Sequence, residues 1–307
     1  MNPMQENTTK KKPVSPLVYA AHAANDICWF VVPLVLPVLL DRFSIGYSGA
    51  GTILTTYLFV IAVFSFFIGR LSDKVPRIAI IVVGFFITFV GFLLTGLAPN
   101  RPLFMLFLVL TAFGVSSFHP VAYAFLDEAV KEKRGRSYGT FELIGAIAIM
   151  AMFLLNGTLL SVIGYQGVLI VTGIPSLIIC ILFLLNRSSF TVAQASAEPP
   201  ELSPTHKGQT MAPALLILFI VSIIIRVISV TPVLNFIPVY LNREFGLKPQ
   251  TAAYGSAFYF LGNLFGAGFS GRLSERFGPL RPLILFTAMI GPVIFLLGLS
   301  LPLWVTL

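Results

Sequence analysis

Gly69-Arg70-Leu71-Ser72-Asp73-Lys74-Val75-Pro76-Arg77 and Gly271-Arg272-Leu273-Ser274-Glu275-Arg276-Phe277-Gly278-Pro279-Leu280-Arg281 share the tetrapeptide Gly-Arg-Leu-Ser, 202 residues apart, followed each time by an acid and a base. Both stretches are short polar breaks between long apolar runs. The first closes the second run of the chain. The other closes the eighth, which is again the second when the count restarts at the seventh. That register makes the chain a duplicated six-span unit with both copies in parallel orientation.

Outward from these loops, continuous apolar runs occupy 17–40, 47–69, 78–98, 102–126, 138–160, 167–186, 213–241, 251–270 and 283–299. Each is close to the ~20 residues a helix needs to cross a hydrocarbon core of ~30 Å. The runs lack the alternation of a membrane barrel, so the expected fold class is an all-α polytopic membrane protein. Composition agrees, with 57% hydrophobic and 10% charged residues and a mean hydropathy of +0.92; soluble domains carry about 25% charged residues. The net charge of +8 would suit a nucleic-acid binder only if gathered on one folded face. It is scattered between apolar runs instead, and no nucleic-acid partner is expected. Cys28 and Cys180 both lie inside runs, which argues against a disulfide framework and against redox chemistry.

The first run follows Lys10-Lys11-Lys12, yet it is longer than the apolar stretch of a signal peptide and holds His22, Asn25 and Asp26, so it reads as a retained span. With the N-terminus inside, 15 Lys and Arg fall in inner segments and 4 in outer ones (Arg42, Arg101, Arg243, Lys248), with Arg226 inside a span. The positive-inside rule then predicts a multi-pass protein of the cell's inner membrane with a cytoplasmic N-terminus. Residues 187–212, rich in Ser, Pro, Ala and Glu, read as a flexible cytoplasmic linker. The expected organisation is a tail over 1–16, a six-helix bundle over 17–186, the linker over 187–212, and the first part of a second bundle over 213–307. Leu301-Pro302-Leu303-Trp304 opens a tenth span, so the second bundle is expected to be incomplete in this chain.

The loop pattern G-x-L-x-D-[RK]-x-G-x-[RK] resembles the signature between spans 2 and 3 of the major facilitator superfamily of secondary transporters. Pro76 replaces the second glycine in the first copy, and Glu275 replaces the aspartate in the second. His22-Ala23-Ala24-Asn25-Asp26 and Gly114-Val115-Ser116-Ser117-Phe118-His119-Pro120 further resemble segments of the fosmidomycin-resistance branch, whose members are drug exporters driven by protons. Val121 stands where that branch has an acidic residue, and span 5 lacks the Gly-Pro pair usual in antiporters. The resemblance implies duplicated six-helix bundles, with spans 1, 4, 7 and 10 lining a central cavity. It also implies gating roles for Gly69, Arg70, Asp73, Lys74 and Arg77, and for Gly271, Arg272, Glu275 and Arg276. In the family the loop's acid looks toward a helix N-terminus of the other half, where the dipole favours a carboxylate, and Asp73 takes that role by resemblance. A solvated charge serving topology alone is the alternative reading of Asp73.

Ionisable residues inside a span cost about 2.5–3.5 kcal/mol at its centre and are functional candidates for that reason. Asp26 lies nine residues into span 1, about 14 Å along the helix, with His22 one turn earlier on the same face. His119 is seven residues from the inner end of span 4, and Glu142 four into span 5, so all four fall in the inner half. A carboxylate and a histidine can together take and release protons in the range where a cell membrane works. Asp26 is therefore the expected proton carrier, with His119, His22 and Glu142 beside it; the competing account is a hydrogen-bonded clamp of Asn25, Asp26 and His119. Glu142 also reads as a carboxylate snorkelling from a helix start. Arg226, near the midplane of span 7, is suited to grip a phosphonate, phosphate or carboxylate, with Asn25 as a further substrate contact. Its alternative is an ion pair, with Asp26 itself as a partner.

The expected function is proton-coupled export of a small, anionic, drug-like compound. Proton-coupled uptake and a non-transporting receptor or scaffold are the alternatives. The sequence carries no phosphate-binding loop, metal-ligand cluster at the usual spacing or nucleophile motif, so no enzyme, cofactor or metal is expected. The partners expected are a small-molecule substrate, protons and the lipid bilayer.

Overall fold

In a computed structural model the protein is described over residues 16–129, 134–187, 213–278 and 280–299. The expected tail, nearly all of the linker and the expected tenth span lie outside the described residues. Among the described residues the regular structure is helical: α1 (Pro16–Arg42), α2 (Tyr47–Leu71), α3 (Arg77–Leu97), α4 (Arg101–Val115), α5 (Phe118–Ala129), α6 (Arg134–Leu185), α7 (Pro213–Glu244), α8 (Pro249–Phe277) and α9 (Leu280–Leu297). By length and composition, six helical stretches are apolar enough to cross a membrane, with α4 and α5 counting as one stretch and α6 as another. The duplication is visible in the backbone. The start of α8 lies 202 residues after that of α2, and α7 ends 202 residues after α1.

Two spans differ from their sequence outlines. The run 102–126 is broken at Ser116 and Ser117, whose hydroxyls donate back to the carbonyls of Phe113 and Gly114 (2.7 Å each) and so compete with the helical ladder. The runs 138–160 and 167–186 are joined in α6, which folds back at Gly164 in a conformation with φ 66° that glycine adopts without strain. Asn156 Nδ2 donates to Thr172 Oγ1 at 2.8 Å, across two positions equidistant from Gly164. Such a contact requires the two arms to lie antiparallel.

Small residues let α3 and α4 approach closely, as is usual where lipid supplies no hydrophobic drive between helices. A Cβ on Gly91 would lie 2.7 Å from Thr111 Cα, and the Thr95 and Thr111 hydroxyls meet at 3.2 Å. The main core is centred on α1, where Val31, Leu34, Leu36 and Leu39 are fully buried. Outward-facing residues are apolar as well, including Phe59, Phe66, Leu97, Leu155, Ile217 and Ile228. An apolar surface this continuous suits lipid or further helices rather than water.

The signature loops lie at one end of the bundle, called here the loop end, where α2 passes to α3 and α8 to α9. The opposite end holds the α1–α2 and α7–α8 turns. Helices α6 and α8 form the most extensive contact, followed by α1 and α6, so α6 bridges the first repeat and the second.

Candidate functional site

Asp26 sits between two imidazoles, one from its own helix and one from α5. Helix α1 carries His22 one turn before it, and His22 Nε2 lies 3.3 Å from Asp26 Oδ2. His119 comes from the second residue of α5, and its Nε2 lies 3.2 Å from the other carboxylate oxygen. The Asp26 side chain is 13% exposed, that of His119 22% and that of His22 1%, so the cluster is open on the His119 side and closed on the His22 side.

The break between α4 and α5 is what puts His119 there. Pro120 has no N–H, and the Ser116 carbonyl that a continuous helix would pair with it accepts instead from Ser65 Oγ of α2 (3.2 Å). One residue earlier, the Val115 carbonyl accepts from Asn25 Nδ2 (3.1 Å), while Asn25 Oδ1 accepts from Trp29 Nε1 (3.1 Å). Each end of this buried amide is engaged. Asn25 thus ties α1 to the break, next to the carboxylate it positions.

Aromatic rings and one glycine form the wall. The His22 ring stacks on Phe141 of α6, 3.6 Å between centroids and 11° between planes; the Phe141 backbone is its other polar neighbour. Trp29 meets the His119 ring edge to face at 5.7 Å, and Tyr123 stacks on the same ring at 5.9 Å. Gly145 of α6 lies directly against Asp26 and His22, because a Cβ there would overlap Asp26 Oδ2 and come within 2.8 Å of His22 Cε1.

Glu142 extends the cluster toward the loop end. It accepts a hydrogen bond from the Tyr123 hydroxyl at 2.9 Å and interacts electrostatically with both Asp26 and His119. The four inner-half groups expected from the sequence therefore come together on α1, α5 and α6. Trp29, Tyr123, Phe141, Gly145 and Ser65 join them without having been singled out in the sequence. The only sequence signal for the first two is one-turn spacing, Trp29 from Asn25 and Tyr123 from His119.

Arg226 lies elsewhere. It is exposed on α7, in a mainly apolar groove of about 440 Å³ shared with α9, where Ile225, Ile290 and Ile294 stand beside Ser222, Ser229 and Thr287. No ion pair with Asp26 forms among the described residues.

The gating residues split between the two copies. In the first loop Asp73 and Lys74 are exposed, Arg70 covers the Phe66 ring at 4.6 Å and Arg77 the Phe125 ring at 5.6 Å; Gly69 approaches Pro120. In the second copy Glu275 accepts from the backbone N–H of Arg136 at 3.2 Å, in the first turn of α6. Gly271 packs against the Gly135 backbone with no room for a side chain. Arg272 is exposed, and Arg276 lies over Phe277 at 5.2 Å. Among the described residues, the contact between a signature acid and a helix N-terminus of the other half is thus made by Glu275, which lies in the last turn of α8 rather than in a loop. At the opposite end, Arg243 Nη2 of α7 meets Asp41 Oδ1 of α1 at 2.6 Å. These two residues are themselves 202 apart.

Comparison with known proteins bears on this arrangement. The sequence profile described as Major Facilitator Superfamily matches residues 18–307. The chain is similar to two transporters of Bacillus subtilis (strain 168). It is 22% identical over 287 residues to the uncharacterized MFS-type transporter YfnC, covering 90% of this chain and 70% of that protein. It is 20% identical over 268 residues to the uncharacterized MFS-type transporter YceJ, covering 87% and 68%. Its fold resembles the crystal structure of a bacterial homolog to the human lysosomal transporter Spinster in an inward-facing, unoccupied conformation, with a TM-score of 0.63 at 18% identity. The superposition covers 86% of this chain and 62% of that one, so the chain spans less than two thirds of the length of that solved transporter.

Proposed function

This chain belongs to the Major Facilitator Superfamily, and from that premise we propose that it is a secondary active transporter that couples proton movement to the export of a small anionic compound. The observation that carries the proposal is the Asp26 carboxylate held between His22 and His119, 3.3 and 3.2 Å away. Ionisable groups placed in this way within membrane helices are typical of proton relays. Protons reach the cluster from the loop end by way of Glu142 and Tyr123, and Asn25 holds it in register from behind. Arg226, facing its groove among Ser222, Ser229 and Thr287, supplies charge and hydrogen-bond donors for an anionic substrate. The likeness of the His22–Asp26 and Gly114–Pro120 segments to the fosmidomycin-resistance branch supports export and a phosphonate-like substrate. The excess of Lys and Arg in the inner segments supports a cytoplasmic N-terminus in the inner membrane. The same organisation assigns 17–186 to one bundle, 187–212 to a cytoplasmic linker and 213–307 to the start of a second.

Substrate-triggered proton movement in inside-out vesicles tests the proposal, with fosmidomycin and a panel of small anions offered to the parent and to Asp26→Asn. A flux present in the parent and abolished by Asp26→Asn is expected. Equal flux in both would remove Asp26 from coupling. No flux with any anion, together with a lowered unfolding temperature in Asp26→Asn, would favour the clamp account.

A further inference from the structure

The cluster around Asp26 also has the composition of a metal site. One donor atom from each of His22, Asp26 and His119 lies within 4.8 Å of the others. Two imidazoles and one carboxylate form a borderline donor set that suits divalent ions such as Zn²⁺, Co²⁺, Ni²⁺ and Cu²⁺, whereas Mg²⁺ and Ca²⁺ require mostly oxygen. Donors of a four-coordinate ion with bonds of about 2.0–2.1 Å stand about 3.3 Å apart. The two Asp26 separations, 3.3 and 3.2 Å, run to different carboxylate oxygens, so a single ligating oxygen has that spacing to one imidazole and the other must close in from within 4.8 Å.

A second, independent observation comes from His22. Its ring is fully buried, and neither nitrogen has a well-aligned hydrogen bond among the described residues. Its polar neighbours are the Asp26 carboxylate, 3.3 Å from Nε2, and the Phe141 backbone. The stack on Phe141 and the absence of a side chain at Gly145 hold this ring facing the carboxylate. The Phe141 backbone beside the ring resembles the outer-shell acceptor that usually orients a ligating imidazole. His119 is the more exposed of the two imidazoles, 22% against 1%.

We propose that His22, Asp26 and His119 bind a divalent transition-metal ion of the Zn²⁺ class. The site is the one assigned to coupling, but binding does not depend on transport. Ligation needs neutral imidazoles and an ionised carboxylate, so metal enters as protons leave. The titratable groups facing the site are His22 and Asp26 on α1, His119 and Tyr123 on α5, and Glu142 on α6. With only one carboxylate ligand and a second carboxylate at Glu142, the local charge suits a dication better than a site of neutral ligands would.

The chain has three histidines, and His206, outside the described residues, serves as the control. Purified chain in detergent, without an affinity tag of histidines, is stripped with a chelator and equilibrated with Zn²⁺ or Mg²⁺ before bound metal is measured. The expected result is about one Zn²⁺ per chain, no Mg²⁺, and at least about tenfold weaker Zn²⁺ binding at pH 6 than at pH 7.5. His119→Asn and Asp26→Asn each weaken binding at least about tenfold, while His206→Asn leaves it unchanged. Should Asp26→Asn fail to fold, His119→Asn and a Co²⁺ absorption spectrum showing imidazole ligation decide. Binding equal in His119→Asn and the parent, or lost in His206→Asn, overturns the proposal. Zn²⁺ bound without any substrate-driven flux leaves the metal site standing and the transport reading fallen; flux without Zn²⁺ binding does the reverse.

Discussion

Gly145→Ala separates the geometry of the Asp26 cluster from the stability of the helix that supports it. In a helix interior, glycine to alanine normally stabilises by about 1 kcal/mol. At Gly145 the added methyl would overlap Asp26 Oδ2 and stand 2.8 Å from His22 Cε1. Carbon atoms are at their optimum about 3.5–4.0 Å apart, so the ring must retreat by about 0.7 Å or more. Phe141 stacks on its face at a centroid distance of 3.6 Å and restricts that retreat. Overpacking of this kind costs about 1–3 kcal/mol. Set against the helical gain, the net destabilisation is about 0–2 kcal/mol, and the protein remains folded. The proposed proton site fares worse, because it depends on Asp26 staying within reach of two imidazoles; at least about a tenfold loss of substrate-triggered proton flux is expected, by analogy with misplaced catalytic groups. Thermal unfolding in detergent and flux in inside-out vesicles give the two readouts. Gly51→Ala, at a helical position with nothing within 4 Å of a new Cβ, is the control and leaves both unchanged or slightly raises stability. Parent-level flux in Gly145→Ala would refute the argument that the space at Gly145 is what the cluster occupies.

Three further outcomes follow from the contacts. Asn25→Leu leaves the Val115 carbonyl and Trp29 Nε1 without their partners, so it destabilises by about 2–4 kcal/mol and changes Trp29 fluorescence; a change in unfolding temperature no larger than that of a surface substitution would contradict the tie. Asp41→Arg and Arg243→Asp each cost about 0.2–1 kcal/mol, as exposed ion pairs do, and combining them restores the loss. A double-mutant cycle that is simply additive would show that the 2.6 Å contact contributes nothing. Glu275→Ala removes the acceptor at the start of α6 and costs about 0.5–1 kcal/mol, whereas Glu275→Gln keeps an acceptor and lies closer to the parent; equal unfolding temperatures for the two variants would exclude capping.

The helices were legible because their cause is local. A run of about twenty apolar residues in lipid can satisfy its backbone only as a helix, and the outlines of α1, α2 and α3 follow the runs closely, whereas α8 continues seven residues past its run and takes Gly271–Phe277, expected as a loop, into the helix. The offset between the loop copies was legible too, and the backbone repeats it at the starts of α2 and α8. The break before His119 was not. It arises from Ser116 and Ser117 bonding backward and from carbonyls taken up by Asn25 and Ser65, residues some 90 and 50 positions away. Composition marks His22, Asp26 and His119 because charge is rare in spans. It cannot mark Gly145 or Phe141, whose importance is a matter of what packs against them. Asn25 shows the same limit from the other side: an amide in a span reads as a substrate contact until its two ends are seen to be engaged by Val115 and Trp29.

The contacts between the repeats bear on how a transporter of this design changes state. At the loop end Glu275 meets the α6 N-terminus and Gly271 presses on Gly135. At the opposite end Arg243 meets Asp41, and the Thr158 hydroxyl meets that of Tyr254 at 2.8 Å. Alternating access opens one end at a time, so each set must be breakable while the other holds. Their chemistry suits that demand. An exposed ion pair and a carboxylate at a helix N-terminus each contribute only about 1 kcal/mol or less, while at the opposite end Ile237 and Leu241 of α7 also bury a small apolar contact with Ala252 of α8. Differences of this size shift a two-state equilibrium by about fivefold. In the proposed mechanism, a proton on Asp26 or an anion at Arg226 would have to supply a difference of that order. Three of these end contacts, Glu275 with Arg136, Gly271 with Gly135 and Thr158 with Tyr254, belong to the α6–α8 interface itself, the most extensive among the described residues, so an axis for rocking belongs between them.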